Sequence, residues 1–321
     1  YLANLCHNCR GCFYACQFSP PHEFNVNVPA AFSALRVQTY QNYAWPGALG
    51  KLFAHNGLVV SLAIAASLML VMGLALLLVN DGRLFGVHTG EGAFYAVIPY
   101  EVMVYTAGAV FGFAILAMII SFARFLKDSG KESNSPSDLG SLMTAVYDVL
   151  TMKNMSGGGV GCTYPDRKFS GARRWYHQFV MYGFFLCFMA TSVATIYDHV
   201  FGWQAPYVYT SLPVIFGTLG GIGLTIGCLG LLWLKGRSDP EVGDTETKSM
   251  DIGFIVLLLA TAVTGLALLA LRETSAMGLL LVIHLGFVLA LFLVLPYGKF
   301  VHSIYRFAAL IRHAAEGKAE S

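Results

Sequence analysis

Six stretches of this chain are long and apolar enough to cross a hydrocarbon layer, and that alone excludes most folds. They run approximately over residues 57–80, 101–124, 176–200, 210–234, 251–271 and 276–296. A hydrocarbon core of about 30 Å calls for about 20 residues of α-helix at about 1.5 Å each. Inside lipid every backbone N–H and C=O must be bonded within the chain, so such runs become helices rather than loops or open strands. Hydrophobic residues make up 56% of the 321 and charged residues 12%, whereas soluble domains carry about 25% charged residues. The expected fold is all-α, a polytopic membrane bundle of six transmembrane helices.

Lys and Arg in short loops stay on the cytoplasmic side of a membrane. If the N-terminus is cytoplasmic, the loops 81–100, 201–209 and 272–275 are external, and they hold only Arg83 and Arg272. The other 18 of the 20 Lys and Arg, among them Arg124, Lys127, Arg167, Lys168, Lys235, Arg237, Lys299 and Arg306, fall on the N-terminal side. This bias predicts a multi-pass protein of the bacterial inner (cytoplasmic) membrane with both ends in the cytoplasm. The net charge of +2 reflects that topology and implies no nucleic-acid partner.

Ahead of the first span, CHNCRGCFYAC places Cys6, Cys9, Cys12 and Cys16 at the spacing C-x2-C-x2-C-x3-C. Bacterial-type ferredoxins use that run to hold [4Fe-4S] clusters, the fourth cysteine usually serving a second cluster bound by another run. The remaining cysteines, Cys162, Cys187 and Cys228, are isolated, and the sequence opens on Tyr1, so a preceding segment with the partner run is expected. Closely spaced cysteines also make zinc sites and disulfides. Zinc sites, however, pair two short hairpins across a longer loop, and four cysteines within eleven residues followed by Pro20 and Pro21 fit a cluster better. Cys187 and Cys228 lie in apolar helices and read as small packing residues.

Ionisable side chains at membrane depth are costly and are functional candidates by default. His284 and His302 are 18 residues apart, five helical turns and about 27 Å, so on one helix they face one direction. His177 and His199 bracket the third span with a spacing of 22 residues, about 33 Å, and share a face in the same way. Spans three and six run antiparallel, which sets His177 level with His302 near the cytoplasm and His199 level with His284 toward the outside. Facing helices of a bundle supply axial ligands in this manner, and one or two bis-histidine haem b groups are expected. Pro296 between His284 and His302 introduces a kink. Arg173 and Arg174, one turn before His177, either pair with haem propionates or anchor the helix at the cytoplasmic face. His7, His22, His55, His88 and His313 receive no role.

These readings divide the chain into a partial ferredoxin-type segment over residues 1–27, an amphipathic connector over 28–55 whose helix begins at Pro29, and a six-helix haem domain over 56–313. A polar tail follows over 314–321. The cytoplasmic loop 127–174 is long enough to have a function. It opens with the polar GKESNSPSDLGS and continues as DLGSLMTAVYDVLTMKNM, whose apolar residues recur at helical spacing, on the membrane surface or under the cluster segment. Its SGGGVGC stretch lacks the preceding strand of a phosphate-binding loop and reads as a packed turn near the cytoplasmic haem or a docking surface.

Clusters on one face and haem across the membrane describe an electron-transfer subunit rather than an enzyme with its own organic substrate site. The alternative is a cytochrome b/iron-sulfur subunit of another oxidoreductase, heterodisulfide-reductase-like or quinol-oxidising. A transporter is disfavoured, because the spans show no inverted repeat and Glu101 and Asp198 lie near membrane edges.

Three segments carry a resemblance: YLANLCHNCRGCFYACQFSPPHEFNVNVP at the start, GGGVGC ahead of ARRWYH, and MGLLLVIHLGFVLALFLVLPYGKFVH near the end. The chain resembles the tricarballylate-utilisation protein B family, also called the CitB citrate-utilisation family, over nearly its whole length. That resemblance implies two cysteine runs for two [4Fe-4S] clusters, the first absent here, and a haem b domain similar to the nitrate reductase gamma subunit. On it Cys6, Cys9, Cys12 and Cys16 match the second run, and His284 and His302 match the paired histidines of the last haem helix. His177 and His199 match less closely, being more widely spaced. The family also implies a soluble FAD-dependent tricarballylate dehydrogenase as partner and quinone as electron acceptor.

Overall fold

The computed structural model describes residues 1–53, 56–78, 82–130, 138–242 and 245–319. His55, residues 131–137 of the polar part of the cytoplasmic loop, and the end of the tail at 320–321 lie outside them.

Six helices among the described residues have the length and apolarity of membrane spans: α5 (Asn56–Leu78), α6 (Tyr100–Gly130), α8 (Ala172–Phe201), α9 (Leu212–Arg237), α10 (Thr245–Leu271) and α11 (Met277–Val294). The chain is an all-α, multi-pass membrane protein. Hydroxyl groups within the spans bond back along their own helices, Ser121 to the Ala117 carbonyl, Thr218 to Val214 and Thr261 to Leu257, which satisfies them without water. The ends are encoded locally. Pro213 sits in the first turn of α9, and Gly202 at φ 68° closes α8, its N–H bonding the Asp198 and Tyr197 carbonyls, as a left-handed C-cap does.

Short helices sit on the N-terminal side. They are α1 (Leu2–Leu5), α2 (Gly11–Ala15), α3 (Val28–Tyr43), α4 (Gly47–Leu52), α7 (Leu139–Thr151) and α12 (His302–Ala319). Asn27 caps α3 by accepting from the Ala30 N–H, with Pro29 in the first turn. The buried face of α3 mixes polar and apolar side chains. It holds Ser33 and Arg36 between Pro29, Val37 and Tyr40.

α11 is the most enclosed span, packed against α5 and α10 through Leu281, Val282, Leu289, Ala290 and Val294. α8 is peripheral and lies along α9. The two backbones approach closely because glycines face them. A Cβ at Gly220 would sit 2.8 Å from the Cys187 nitrogen and sulfur, and one at Gly227 2.7 Å from the Tyr176 carbonyl oxygen. Small residues bring membrane helices together in this way, and Cys187 is the packing residue expected.

One expectation is corrected. His284 and His302 are not on one helix. α11 ends at Val294, the chain turns through residues 295–298, and α12 starts at His302. Pro296 has no N–H to continue the ladder, and Gly298 bonds its N–H back to the Val294 carbonyl in an extended conformation. The five-turn register between the two histidines therefore does not apply. α12 leaves the membrane axis and packs on α6 and α7, with Tyr305 stacked on Tyr40 of α3 at 5.5 Å.

Candidate functional site

The cysteine run is a loop between two one-turn helices. α1 ends at Cys6, α2 holds Cys12, and Cys16 ends α2. Asn8 (φ 53°) and Arg10 (φ 66°) take left-handed conformations on either side of Cys9 and curl the loop inward. The Asn8 N–H donates to Cys6 Sγ at 3.4 Å. Burial raises the Cys12 thiol pKa, and the Cys6 and Cys9 thiols raise it further. Cys16 ends α2, and its carbonyl accepts from the Ser19 hydroxyl at 2.6 Å.

Three arginines from three distant helices hold the carbonyls of this loop. Arg36 of α3 donates to Ala3 (3.1 Å) and Cys6 (3.4 Å). Arg306 of α12 donates to Asn4 (3.3 Å) and Cys6 (2.9 Å). Arg173 of α8 donates to His7 (2.8 Å) and Asn8 (2.7 Å). The carbonyl of Cys9 is taken by Thr163, through both its N–H and its hydroxyl at 3.0 Å. A loop without a ladder needs such external donors. Burial lowers the Arg306 pKa to about 10, so the group stays charged at neutral pH. Arg36 and Arg306 were unremarkable in the sequence, although Arg306 stands four residues after His302 and Arg36 stands among apolar neighbours.

The glycine-rich stretch builds the platform for Cys9. Gly157, Gly159 and Gly161 take φ of 57°, 110° and 99°, and a Cβ at Gly161 would lie 2.9 Å from the Ser170 backbone. Strand β1 (Cys162–Thr163) can then pair antiparallel with β2 (Phe169–Ser170) and present Thr163 to the loop. Tyr164 follows between the guanidinium groups of Arg10 (4.5 Å) and Arg173 (5.2 Å). The stretch is the packed turn expected from the sequence.

Of the four candidate histidines, the structure brings two together. His177 and His302 face each other with ring centres 6.0 Å apart and planes at 86°. The His302 Nδ1 lies 2.6 Å from the Lys299 carbonyl, and the buried Nδ1 of His177 has no hydrogen-bond partner. Burial first, then the charges of Lys299 and Arg306, holds His302 well below the usual imidazole pKa. His7 is pushed far down by burial and by Arg306. Both are neutral at physiological pH.

His199 and His284 do not meet. His199 is exposed, its Nδ1 2.7 Å from the Tyr100 hydroxyl and 3.2 Å from the Thr195 carbonyl. His284 lies against α10, its Nδ1 3.2 Å from the Thr264 hydroxyl, where a Cβ at Gly265 would come within 2.8 Å of the imidazole. No ring contact joins them among the described residues. The outward face of α8 carries His199 toward the start of α6. Arg173 and Arg174 also have other duties than the propionates considered for them. Arg173 holds the cysteine loop, and Arg174 donates through Nε (3.2 Å) and Nη2 (2.6 Å) to the Thr151 carbonyl.

Known proteins place this architecture. The family model "Citrate utilization protein B" matches residues 52–321, and that of the "Citrate utilization protein B Fer4-like domain" matches residues 1–42. The Escherichia coli protein "Citrate utilization protein B" is 47% identical over 317 residues, covering 98% of this chain and 82% of that one. The chain belongs to the citrate utilization protein B family. No solved structure matches it.

Within this family, the Fer4-like segment holds the cysteine loop and points to an iron-sulfur electron-transfer role. The residues fit that chemistry: the loop carries four cysteine sulfurs, soft donors of the type iron-sulfur clusters take, and the Asn8 N–H donates to Cys6 Sγ. The sulfurs are not drawn into a finished ligand shell: among the described residues no group of three or more His, Cys, Asp or Glu side chains is gathered closely enough to hold a metal ion.

His177 and His302 offer two imidazoles, donors of the kind that would hold a haem iron. Their rings face each other at 6.0 Å, and the carbonyl at His302 Nδ1 is of the kind that orients a ligating imidazole.

Proposed function

We propose that this chain is a membrane electron-transfer protein that receives electrons on the cytoplasmic side from a soluble FAD-dependent dehydrogenase and delivers them to quinone. Tricarballylate dehydrogenase is the partner that the family resemblance favours. When bound, a [4Fe-4S] cluster at Cys6, Cys9 and Cys12 and a haem b between His177 and His302 would supply one-electron redox chemistry linking a two-electron flavin to a two-electron quinone. Cys16, the fourth of the run, is the candidate ligand of a second cluster, as in ferredoxin runs of this spacing.

One observation carries this reading. Each helix that contributes a histidine to the pair contributes, four residues away, an arginine to the cysteine loop: Arg173 with His177 on α8, and Arg306 with His302 on α12. Residues one turn apart on a helix face the same way, so the two sites form one unit. In it the chain's own residues have separate tasks. Arg36, Arg173, Arg306 and Thr163 fix the loop and put positive charge beside sulfurs that become thiolates on metal binding. Lys299 fixes His302 through its carbonyl. Burial keeps His302 neutral, with its Nδ1–H donating to the Lys299 carbonyl and its Nε2 available as a ligand.

The test is spectroscopic. Anaerobically purified protein is expected to show the reduced-minus-oxidised bands of haem b together with iron-sulfur EPR signals, and to be reduced by a dithionite-free flavoprotein and reoxidised by a quinone analogue. Absence of both cofactors from such a preparation rules the reading out. Reduction by a different flavoprotein but not by tricarballylate dehydrogenase changes the partner only.

A further inference from the structure

Helix α7 has an apolar stripe turned away from the protein. Leu139, Met143 and Tyr147 are 74, 60 and 63% exposed, and with Leu142 and Leu150 they recur at helical spacing. Its opposite face is buried. Ala145 packs on Leu310 and Ile311 of α12, and Val149, Phe307 and Leu5 complete that cluster.

The C-terminal end of α7 supplies a second, independent observation. Successive turns of α8 donate to its last carbonyls: Arg174 to Thr151 at 2.6 Å, Gln178 to Thr151 at 3.4 Å, and Tyr182 to Leu150 at 2.7 Å. A helix end in water leaves these carbonyls to solvent, whereas one at the edge of hydrocarbon must have them satisfied by protein. Tyr182 lies ten residues into α8, about 15 Å along its axis, with its side chain leaning back toward the helix start. The end of α7 is thus level with the first turns of a span. Beside it, Trp175 and Phe179 of α8 are 65 and 44% exposed, which continues the apolar surface from the span onto α7.

We propose that α7 is an in-plane membrane helix. It lies in the interface of the leaflet on the cysteine side, its stripe of Leu139, Met143, Tyr147 and Leu150 in the acyl chains and its other face carrying α12. Leu5 rests on the same cluster and is bonded in sequence to Cys6, so α7 sets the height of the cysteine loop above the lipid. Amphipathic helices bind interfaces through buried apolar area of this kind.

Hydroxyl-radical footprinting of the cofactor-loaded protein, in nanodiscs that each hold one chain, tests this without a substitution. Met143 is expected to oxidise as slowly as Met69 and Met189, which are 69 and 46% exposed on spans, and Tyr147 more slowly than Phe24, 65% exposed in the cysteine segment. Oxidation of Met143 and Tyr147 at water-exposed rates overturns the proposal and leaves the stripe to a protein partner. A benzophenone amino acid replacing Tyr147 in native membranes gives a complementary reading. Lipid adducts are expected, and an adduct to a second polypeptide overturns it.

Discussion

His177 and His302 come from helices 125 residues apart in sequence and meet with ring centres 6.0 Å apart and nearly perpendicular planes. The antiparallel run of spans three and six sets the two at one level, but the contact itself forms where α8 leans on α9 and α12 begins after the chain has turned out of the sixth span. The pair exists because both helices also grip the cysteine loop.

The histidines therefore separate into two classes. Replacing His177 or His302 by Ala is expected to abolish the haem b spectrum, whereas His199→Ala and His284→Ala keep it. Difference spectra of the four variants check this. Loss of haem with His199→Ala would restore the second haem level that the structure does not assemble.

The cysteines separate as well. Cys6→Ala, Cys9→Ala and Cys12→Ala are each expected to remove the same EPR signal. Cys16→Ala leaves that signal in place. If all four variants lose one and the same signal, Cys16 completes the cluster of the other three.

Arg306→Gln leaves the Asn4 and Cys6 carbonyls without their buried charged donor, a loss of about 1–3 kcal/mol in stability. It also removes a positive charge beside the sulfurs, so the reduction potential of the cluster falls. Redox titration followed by EPR checks the direction. Arg306→Lys keeps the charge but not the two-pronged geometry, and it is expected to restore the potential more than the stability.

The α8–α9 contact tolerates no side chain at Gly227, where a Cβ would lie 2.7 Å from the Tyr176 carbonyl oxygen and 2.8 Å from the Val180 nitrogen. Gly227→Leu pushes α8 outward next to His177, at a cost of about 1–3 kcal/mol. Gly236→Ala, whose Cβ meets open space, is the control. Thermal melts monitored through haem absorbance are expected to shift down for the first and stay in place for the second.

Asp251 holds Lys235 at 2.5 Å and Lys299 at 2.7 Å, and the Lys299 carbonyl orients His302. Asp251→Asn leaves two largely buried ammonium groups without their carboxylate, which costs about 3 kcal/mol or more. A lowered melting midpoint is expected, together with a changed EPR signature of the oxidised haem as the imidazole loses its fixed orientation. A lowered midpoint with an unchanged signature would confine the ion triad to a structural role.

The six spans were legible because their cause is local: an apolar run in lipid has one way to satisfy its backbone. The cysteine motif was legible because its four cysteines lie within eleven residues. The glycine stretch was legible as a turn, since glycine alone takes at no steric cost the positive φ found at Gly157, Gly159 and Gly161. Arg36, Arg306 and Thr163 were not legible as site residues, since their donors reach carbonyls 30, 300 and 154 residues away, and no spacing rule spans such separations. The His284–His302 register failed for a related reason. A periodicity argument assumes one continuous helix, and Pro296 with Gly298 ends it.

Sequence by itself thus determined the membrane bundle of six spans and the iron-sulfur type of its cysteine run, both set by residues within a few turns of chain. Tertiary structure alone decided that, of the two histidine pairs expected from the sequence, His177 and His302 are the ones brought within 6.0 Å, since the packing of their helices depends on glycine contacts and arginine clamps made across the whole fold.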